Sequence, residues 1–333
     1  MIGIVIIGYK NNTNKNFPLF AALGSSDEKD RSSERKMNIL VTGGLGYLGS
    51  HLCLALKNHK LFVVDNEKSH SITAEHLQNL VPFTYYKRDI REPLDDIFQN
   101  HQIDVVFHMA SLKSIGDSME DQDNYYDNNY TGSVNLLNTM MTYHCDYMIF
   151  SSSISVYGET DIITKETDEP KPNNPYSQYK LDFEQVLQHS SINATIFRYT
   201  NPAGCHPLLN QKDQSLFSKL NQDDFLMIYG GDYATEDGTA RRDYIHVDDL
   251  VEAHIKALNL RGFHLFNLGS GQSVSVLEIV KQIKKPYQIT SRRAGDVAIS
   301  QTNIENIKKT LNWHPKKSIK DILQSYENIS KRD

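Results

Sequence analysis

The chain has 333 residues, of which 39% are hydrophobic and 23% charged, so it is long enough for a large core and ordinary in composition for a globular protein. Its 35 basic and 41 acidic residues give a net charge of −6, which provides no reason to expect a nucleic acid or an anionic membrane as partner. No apolar run approaches the ~20 residues that a membrane-spanning helix needs.

Both the cysteines and the N-terminal segment bear on where the protein works. Cys53, Cys145 and Cys205 are isolated and fit neither a metal-binding knuckle nor a disulfide framework. We therefore expect a reducing compartment, the cytoplasm. Residues 1–36 form a mostly polar extension, which we expect to be disordered and to contribute nothing to the chemistry.

From residue 37 onward, short apolar runs alternate with helical stretches. This alternation predicts an α/β fold with a doubly wound parallel sheet over 37–200. A smaller mixed α/β lobe over 201–333 follows, which we expect to bind substrate and to return strands and helices to the first domain. The predicted strands are 38–41, 61–65, 83–87, 105–108, 148–150 and 195–199, and the predicted helices are 48–58, 126–143, 176–189, 247–259, 276–284 and 303–311.

A glycine-rich turn lies between the first predicted strand and helix. Residues 42–49 contain G-x-G-x-x-G in the strand-turn-helix context of a Rossmann dinucleotide site. Asp65 ends the second strand, where a carboxylate binds ribose hydroxyls and favours NAD over NADP. The candidate cofactor contacts of the turn are Gly43, Gly46, Tyr47, Leu48 and Gly49.

Two further strand ends face the same crevice. Asp89 and Ile90 follow the third strand, where a side chain can meet an adenine ring, and Met109 and Ala110 follow the fourth, where small residues admit the cofactor backbone. We expect all four residues to line the cofactor site.

Tyr176 and Lys180 stand four residues apart, a spacing that places both side chains on one helix face. A nearby ammonium stabilises a phenolate, so we expect Lys180 to lower the pKa of Tyr176 and make it a usable base. The serines of residues 150–153 emerge at a strand end, and Ser153 can bond or relay a proton to an alcohol oxygen. Asn128 is a candidate for fixing a helix or a water near the lysine. The group is typical of hydride and proton transfer at an alcohol carbon.

Paired arginines recur in the second half of the chain, at 241–242 and at 292–293. In an acidic protein, paired guanidinium groups favour capture of a diphosphate, so we expect a nucleotide substrate. His108, His246 and His254 show no metal-ligand spacing, so they are interpreted as structural and no metal site is expected.

These motifs resemble UDP-glucose 4-epimerases, which are extended short-chain dehydrogenases/reductases. The resemblance runs in order from about residue 38 to residue 313, and its most specific part is 232–247. The residues that carry it are 42–49, Asp65 and Asn66, 125–129, 150–153, 156–158, 175–180, 198–202, 232–239 and 242–247.

The resemblance implies tightly held NAD and a reversible inversion at C4 of a UDP-hexose through a 4-keto sugar. It implies that Tyr176 is the base, that Lys180 tunes it and binds the nicotinamide ribose, and that Ser153 bonds the sugar oxygen. It adds Asn66 and Lys113 to the cofactor site, and it implies a homodimer built on the helices bearing Asn128 and Tyr176. The implied UDP contacts are Asn201, Tyr229, Arg242, Arg293 and Asp296.

Three departures from the family pattern affect the substrate side. The stretch 208–225 is short and lacks an Asn-Asn-Leu run that cradles the nucleotide. Thr200 replaces a phenylalanine near the nicotinamide. Ser300 stands where some members carry a bulky tyrosine, so we expect room for an N-acetyl group and hence for UDP-GlcNAc and UDP-GalNAc beside UDP-glucose and UDP-galactose.

Two alternatives keep the fold but change the function. A nucleotide-sugar 4,6-dehydratase or decarboxylase is one, although the acidic pair that a dehydratase carries after the serines is missing from residues 154–156. A non-catalytic NAD-binding regulator is the other, and the intact Ser153, Tyr176 and Lys180 argue against it.

Overall fold

The computed structural model of the chain describes residues 35–160, 162–209, 216–217, 219, 225–293 and 296–330. Residues 1–34 of the predicted extension and most of the short stretch 208–225 therefore lie outside the described residues.

A seven-stranded parallel sheet forms the centre of the fold, with the strand order β10-β6-β5-β4-β1-β2-β3. The order reverses between β1 and β4, and in such open sheets ligands bind at the carboxyl ends of the strands beside that switch. The predicted doubly wound α/β fold is confirmed. The strands are β1 Asn38–Thr42, β2 Lys60–Asp65, β3 Phe83–Lys87, β4 Val105–His108, β5 Tyr147–Ser153, β6 Asn193–Tyr199 and β10 Phe263–Leu268.

Apolar side chains cover both faces of this sheet, as is required when helices pack on each side. Along β1, Ile39 and Val41 belong to one core cluster and Leu40 to the other, which is the alternation expected of a strand. The helices of this part are α1 Tyr47–Ala55, α2 Ala74–Leu80, α3 Asp95–Asn100, α4 Ile115–Glu120, α5 Gln122–Tyr126, α6 Gly132–Thr142 and α7 Pro175–His189.

The helix predicted over 126–143 is not continuous. A π-helical turn, Asp127–Thr131, separates α5 from α6. The wider turn buries Asn128 and Asn129 side by side, next to the cofactor crevice. Such π turns occur frequently at functional sites.

A smaller sheet lies in the second half of the chain. Its central strand β9 (Arg241–His246) pairs with β11 (Ser273–Ser275), β13 (Ile299–Ser300) and β7 (Asn201–Ala203). β10 pairs with β6, so the second half of the chain contributes a strand to the large sheet of the first half. The predicted domain boundary at residue 200 stays a prediction. The remaining elements are β8 Leu226–Tyr229, β12 Tyr287–Thr290, α8 Val247–Ala257, α9 Val276–Ile283, α10 Glu305–Leu311 and α11 Ile319–Ser330.

None of the helices in the described part of the chain combines the length and the apolarity that a bilayer span requires.

Candidate active site

The glycine turn between β1 and α1 is built so that side chains would not fit. Gly43 has a φ of +68°, and a Cβ placed on it would lie 2.6 Å from the backbone nitrogen of Ala110. A Cβ on Gly49 would lie 2.1 Å from the oxygen of Gly43. Such a close-packed turn at a helix N-terminus leaves backbone N–H groups accessible to a diphosphate, so these residues fit a dinucleotide.

Asp65 organises the loop around this turn. Its two carboxylate oxygens accept hydrogen bonds from the backbone N–H of Leu45 at 3.0 Å and of Glu67 at 2.8 Å. Burial raises the pKa of Asp65, while the two backbone bonds oppose the rise. The carboxylate stays at the cavity wall, where a ribose hydroxyl can reach it.

Ile90 lines the cavity next to this loop, and a contact of its neighbour Asp89 with the cofactor stays a prediction. The Asp89 carboxylate accepts hydrogen bonds from Arg91 and from the Asn66 side-chain amide at 2.8 Å. Mainly through Arg91, its pKa lies well below the usual range. Asp89 therefore supports the cavity wall through Asn66, which lines the cavity.

One cavity of about 530 Å³ brings the predicted cofactor residues and the predicted reacting residues together. Thr200 and Pro202 also line it, at the side of the substrate lobe. The sequence-predicted residues in its wall are Gly43, Gly46, Tyr47, Leu48, Gly49, Asp65, Asn66, Ile90, Met109, Ala110, Lys113, Asn128, Ser153, Tyr176 and Lys180.

Ser153 and Tyr176 lie close together across the end of β5 and the start of α7, where the Ser153 hydroxyl acts to lower the pKa of the Tyr176 phenol. The Asn174 side chain caps α7 by accepting the N–H of Ser177 at 2.9 Å, which sets the position of the first helical turn. The Ser153 oxygen accepts from the N–H of Ser155 at 3.1 Å and from its hydroxyl at 2.8 Å. With both bonds accepted, the Ser153 proton is left to be donated to the phenol or to a sugar oxygen.

The surroundings of Tyr176 and Lys180 shift the pKa of both residues, and the lowering of the Tyr176 pKa by Lys180 stays a prediction. Lys180 donates from Nζ to the backbone oxygen of Ser151 at 2.7 Å, and Nζ lies 5.8 Å from the centroid of the Tyr176 ring. Burial raises the pKa of Tyr176 to about 12, against the opposing hydrogen bond from Ser153. Burial also lowers the pKa of Lys180 to about 7. Desolvation is therefore the largest cause of both pKa shifts.

His108 is structural, as interpreted, and it connects two walls of the cavity. Its Nδ1 lies 2.7 Å from the Thr42 hydroxyl and its Nε2 lies 2.8 Å from the Ser133 hydroxyl. Since Ser133 donates its proton to the Asn129 backbone oxygen, Nε2 carries the imidazole hydrogen. Burial lowers the pKa of His108 to about 3, so the ring is neutral at neutral pH.

Sequence reasoning missed Asn129, whose amide holds the loop after β4. Its oxygen accepts the N–H of Leu112 and its nitrogen donates to the oxygen of Leu112, each at 2.9 Å. The neighbouring Asn128 donates to the same Asn129 oxygen at 3.0 Å. Nothing in the sequence distinguishes the two asparagines, because only the π turn buries both.

Sequence reasoning also missed a buried ion pair behind the serines. Glu184 on α7 and Arg198 on β6 approach to 2.6 Å, with 5% and 4% of their side chains exposed. The signal that could have identified Glu184 is its spacing of one helical turn from Lys180.

The predicted nucleotide-binding residues lie outside the described lining of this cavity. Arg242 bonds the oxygen of Val297 at 2.7 Å and reaches Asp296 at 3.4 Å, and Ser300 is its register partner on β13. The Arg293 guanidinium stacks 3.7 Å from the centroid of the Tyr229 ring.

Asn201 is held close to Arg242. Its side chain donates to the backbone oxygen of Asp243 at 3.0 Å, on β9 next to Arg242. The backbone N–H of Asp296 donates to the backbone oxygen of Arg293 at 3.3 Å, so Arg242 and Arg293 are connected through Asp296.

Comparison with known proteins adds to this geometry. The family described as the NAD dependent epimerase/dehydratase family matches residues 39–269. The UDP-glucose 4-epimerase of Bacillus subtilis is 38% identical over 325 residues, which covers 86% of this chain and 94% of the relative.

Two solved structures share the fold over almost their whole length. The UDP-glucose 4-epimerase of Stenotrophomonas maltophila, solved with NAD and formylated UDP-arabinopyranose, superposes with a TM-score of 0.83 at 32% identity and covers 89% of this chain and 98% of its own. The enzyme of Bifidobacterium longum, solved with NAD⁺ and UDP, gives a TM-score of 0.82 at 32% identity with the same coverage. The predicted resemblance is confirmed, and the chain belongs to the NAD dependent epimerase/dehydratase family, among its UDP-glucose 4-epimerases.

Proposed function

We propose that the protein catalyses the reversible epimerisation of a UDP-hexose at C4, with UDP-glucose and UDP-galactose as the primary pair. The observation that carries the proposal is the single cavity in which the glycine turn and Asp65 face Ser153, Tyr176 and Lys180. A dinucleotide site and a group able to remove an alcohol proton are thereby placed side by side. When bound, NAD supplies the hydride acceptor and donor that a reversible inversion requires.

Each residue of the reacting group has a separate task. Tyr176 exchanges a proton with the sugar oxygen, in both directions of the reaction. Ser153 donates its proton to the oxygen atom that carries negative charge, because its own oxygen already accepts two bonds from Ser155. Lys180 supplies positive charge beside the phenol and, like Asn128, contacts the cofactor side of the cavity.

Arg242 and Arg293 bind the diphosphate in this proposal, while Asn201 and Asp296 bind ribose or phosphate and Tyr229 lies against uracil. The positive charges of the two arginines suit the double charge of a diphosphate. Asp296 now partly neutralises Arg242, and that pair can exchange for a phosphate contact. The hexose itself must be held loosely, since it has to present both faces of C4 to the same cofactor.

Ser300 supports a wider substrate range that includes UDP-GlcNAc and UDP-GalNAc. It is the register partner of Arg242, so a change in its size acts close to the proposed diphosphate contact. A serine there leaves the volume that an N-acetyl group would occupy.

The small number of carboxylates among the described lining residues of the cavity argues against a 4,6-dehydratase. Among the described lining residues the only acid is Asp65, which is occupied at the cofactor end. The serines are followed directly by a 3-10 turn, Ile154–Tyr157, without an acid. The protons that elimination would require therefore have no carboxyl donor among those residues.

We also propose a homodimer formed through the helices next to Asn128 and Tyr176. Apolar side chains are exposed there: Tyr126 on α5 is 45% exposed, Met141 on α6 42% and Met119 on α4 55%. A cytoplasmic location is proposed because Cys53, Cys145 and Cys205 are buried thiols that form no disulfide.

Purified protein tests the proposed function in two steps. Acid release of bound nucleotides followed by mass detection should find NAD. A coupled assay should then detect UDP-glucose formed from UDP-galactose without added cofactor. A protein that holds NAD but converts neither UDP-hexose pair would contradict the proposal, and size-exclusion chromatography with light scattering would decide the dimer.

A further inference from the structure

Helix α7 contacts the serine triplet at the end of β5 at three points along one face. The Tyr176 phenol lies beside the Ser153 hydroxyl, Lys180 donates to the backbone oxygen of Ser151, and Glu184 accepts the hydroxyl proton of Ser152. The helical residues are spaced by four, so successive turns of the helix are each tied to the strand.

The third contact is the most buried and belongs to a larger group. Arg198 binds the Glu184 carboxylate through Nη2 at 2.6 Å and through Nε at 3.1 Å and 3.2 Å. The other side of the guanidinium lies 4.7 Å from the centroid of the Tyr157 ring. We call Ser152, Glu184 and Arg198 the carboxylate clamp.

The clamp joins three elements that each carry part of the cavity wall. Ser152 and Arg198 are register partners on β5 and β6, and Glu184 spans them from α7. Since side chains alternate along a strand, Ser152 faces away from Ser153 and is free to bind the helix. The next residues of β6 and its continuation, Tyr199 and Thr200, line the cavity.

We propose that Glu184 is a positioning residue for catalysis, which holds α7 in register with β5 so that the Tyr176 hydroxyl stays on Ser153. The proposal rests on the epimerase function given above. Glu184 does not line the cavity and touches neither of the reacting hydroxyls, so it acts through the helix and through Ser152.

A buried charge pair suits this task better than apolar packing. An apolar contact tolerates small slides of one element past another, whereas a bidentate guanidinium–carboxylate contact with a third hydrogen bond does not. Breaking such a pair leaves a charge without a partner, so its geometry is strongly held. Because a displacement of about 1 Å can reduce a rate about 10²-fold, small changes in helix register affect the reaction before they unfold the protein.

Two variants and a control test the proposal in the purified holoenzyme. Ser152→Ala removes the hydrogen bond from Ser152 to Glu184 but keeps the ion pair of Glu184 and Arg198. We therefore expect this variant to fold even if Glu184→Gln does not. Asp249→Asn alters another buried carboxylate, which accepts the N–H of Lys316 at 3.0 Å and of Lys317 at 2.8 Å, away from the cavity. The measurements are kcat and KM for UDP-galactose, the NAD content, and amide hydrogen exchange of residues 175–180.

We expect Ser152→Ala to lower kcat roughly tenfold and Glu184→Gln to lower it about 10²-fold, with KM and NAD content near those of the unaltered protein. Exchange of residues 175–180 should become faster in both variants and stay unchanged in Asp249→Asn. Unaltered kcat in Ser152→Ala, or exchange that rises equally in the control, would overturn the proposal. Absence of epimerase activity in the unaltered protein would contradict the proposed function instead, and the exchange comparison would still test the clamp.

Discussion

Lys180 is bound to the backbone oxygen of Ser151, with Nζ 2.7 Å from that oxygen and 4.8 Å from the centroid of the Phe150 ring. The amine is thus held under the serine triplet at a distance from the phenol that it serves. Its pKa, lowered by burial to about 7, means that the site maintains this cation at a cost in stability.

Replacing Lys180 should change the unfolding free energy by an amount that depends on pH. The amine has a pKa of about 7 in the folded protein and 10.5 as its ordinary value, so the unfolded chain binds more protons between these pH values and stability rises with pH there. Lys180→Met removes this contribution. We expect the unfolding free energy of the variant minus that of the unaltered protein to be largest below pH 7 and to fall toward pH 10.5, while kcat drops about 10²-fold or more.

Urea unfolding at a series of pH values measures this difference. Lys171→Met, at an exposed lysine, serves as the control and should give a flat difference over the same range. A Lys180→Met difference that is equally flat would show that the amine is not desolvated.

Tyr176→Phe removes the hydroxyl that exchanges the proton. We expect kcat to fall about 10²- to 10⁴-fold, with unchanged NAD content and circular dichroism, because the ring remains in place. Tyr179→Phe on the same helix is the matched control, since its hydroxyl donates to the backbone oxygen of Gln122 at 3.3 Å, outside the described lining of the cavity. Steady-state kinetics with UDP-galactose would detect the difference, and near-normal turnover in Tyr176→Phe would rule out the mechanism.

Arg293 and Arg292 are neighbours with different surroundings. Arg292 is bound to Asp232 at 2.7 Å and stacks on Tyr233, whereas Arg293 stacks on Tyr229. We expect Arg293→Gln to raise the KM for UDP-galactose about tenfold or more with a smaller change in kcat, because it removes a charge-assisted diphosphate contact. Arg292→Gln should leave KM unchanged. Equal effects in the two variants would mean that general surface charge, not a specific contact, attracts the substrate.

Ser300→Tyr should narrow the substrate range. The larger side chain, beside Arg242 in the register of β13 and β9, should abolish conversion of UDP-GlcNAc and leave conversion of UDP-glucose largely intact. The ratio of kcat/KM for the two sugars measures this effect. Ser300→Ala is the control, and it should keep both activities. If the tyrosine variant converts both sugars as before, the pocket lies elsewhere.

His108 should contribute to loss of stability in acid. Its pKa is about 3 in the folded protein against an ordinary value of 6.5, so the unfolded chain binds the extra proton between these values. The stability contribution is complete above pH 6.5 and is lost as the pH falls toward 3, at up to about 1.4 kcal/mol per pH unit for one proton. Thermal unfolding of His108→Gln should show a shallower decline over this window. Parallel curves for the two proteins would indicate that His108 has the same pKa in the folded and the unfolded chain.

The cofactor half of the site could be predicted residue by residue. Gly43 and Gly49 are needed by a turn that is closed within a few residues, and Asp65 bonds the N–H groups of Leu45 and Glu67, all within one strand-turn-helix-strand unit. Interactions of this kind are visible in the sequence because the partners and the spacing are local. Asp89 likewise has partners nearby in the sequence, because Arg91 and Asn66 donate to its carboxylate.

The substrate half could be predicted only as a set of residues. Arg242 and Arg293 are connected through Asp296, Ser300 is the register partner of Arg242, and Arg293 stacks on Tyr229. Which of their atoms would contact a nucleotide depends on the bound ligand, and no pattern in the sequence contains that information.

The sequence by itself determined the parallel sheet, the dinucleotide turn and the identity of Ser153, Tyr176 and Lys180, because strand alternation, glycine geometry and helical spacing act over short distances. Only the tertiary structure decided in which direction the pKa values of Tyr176 and Lys180 shift and what holds the two residues in place. Burial sets the direction of both pKa shifts, and it depends on the packing of α7 against β5. Glu184 and Arg198 meet for the same reason, since two charges far from water are stable only when the fold brings them together.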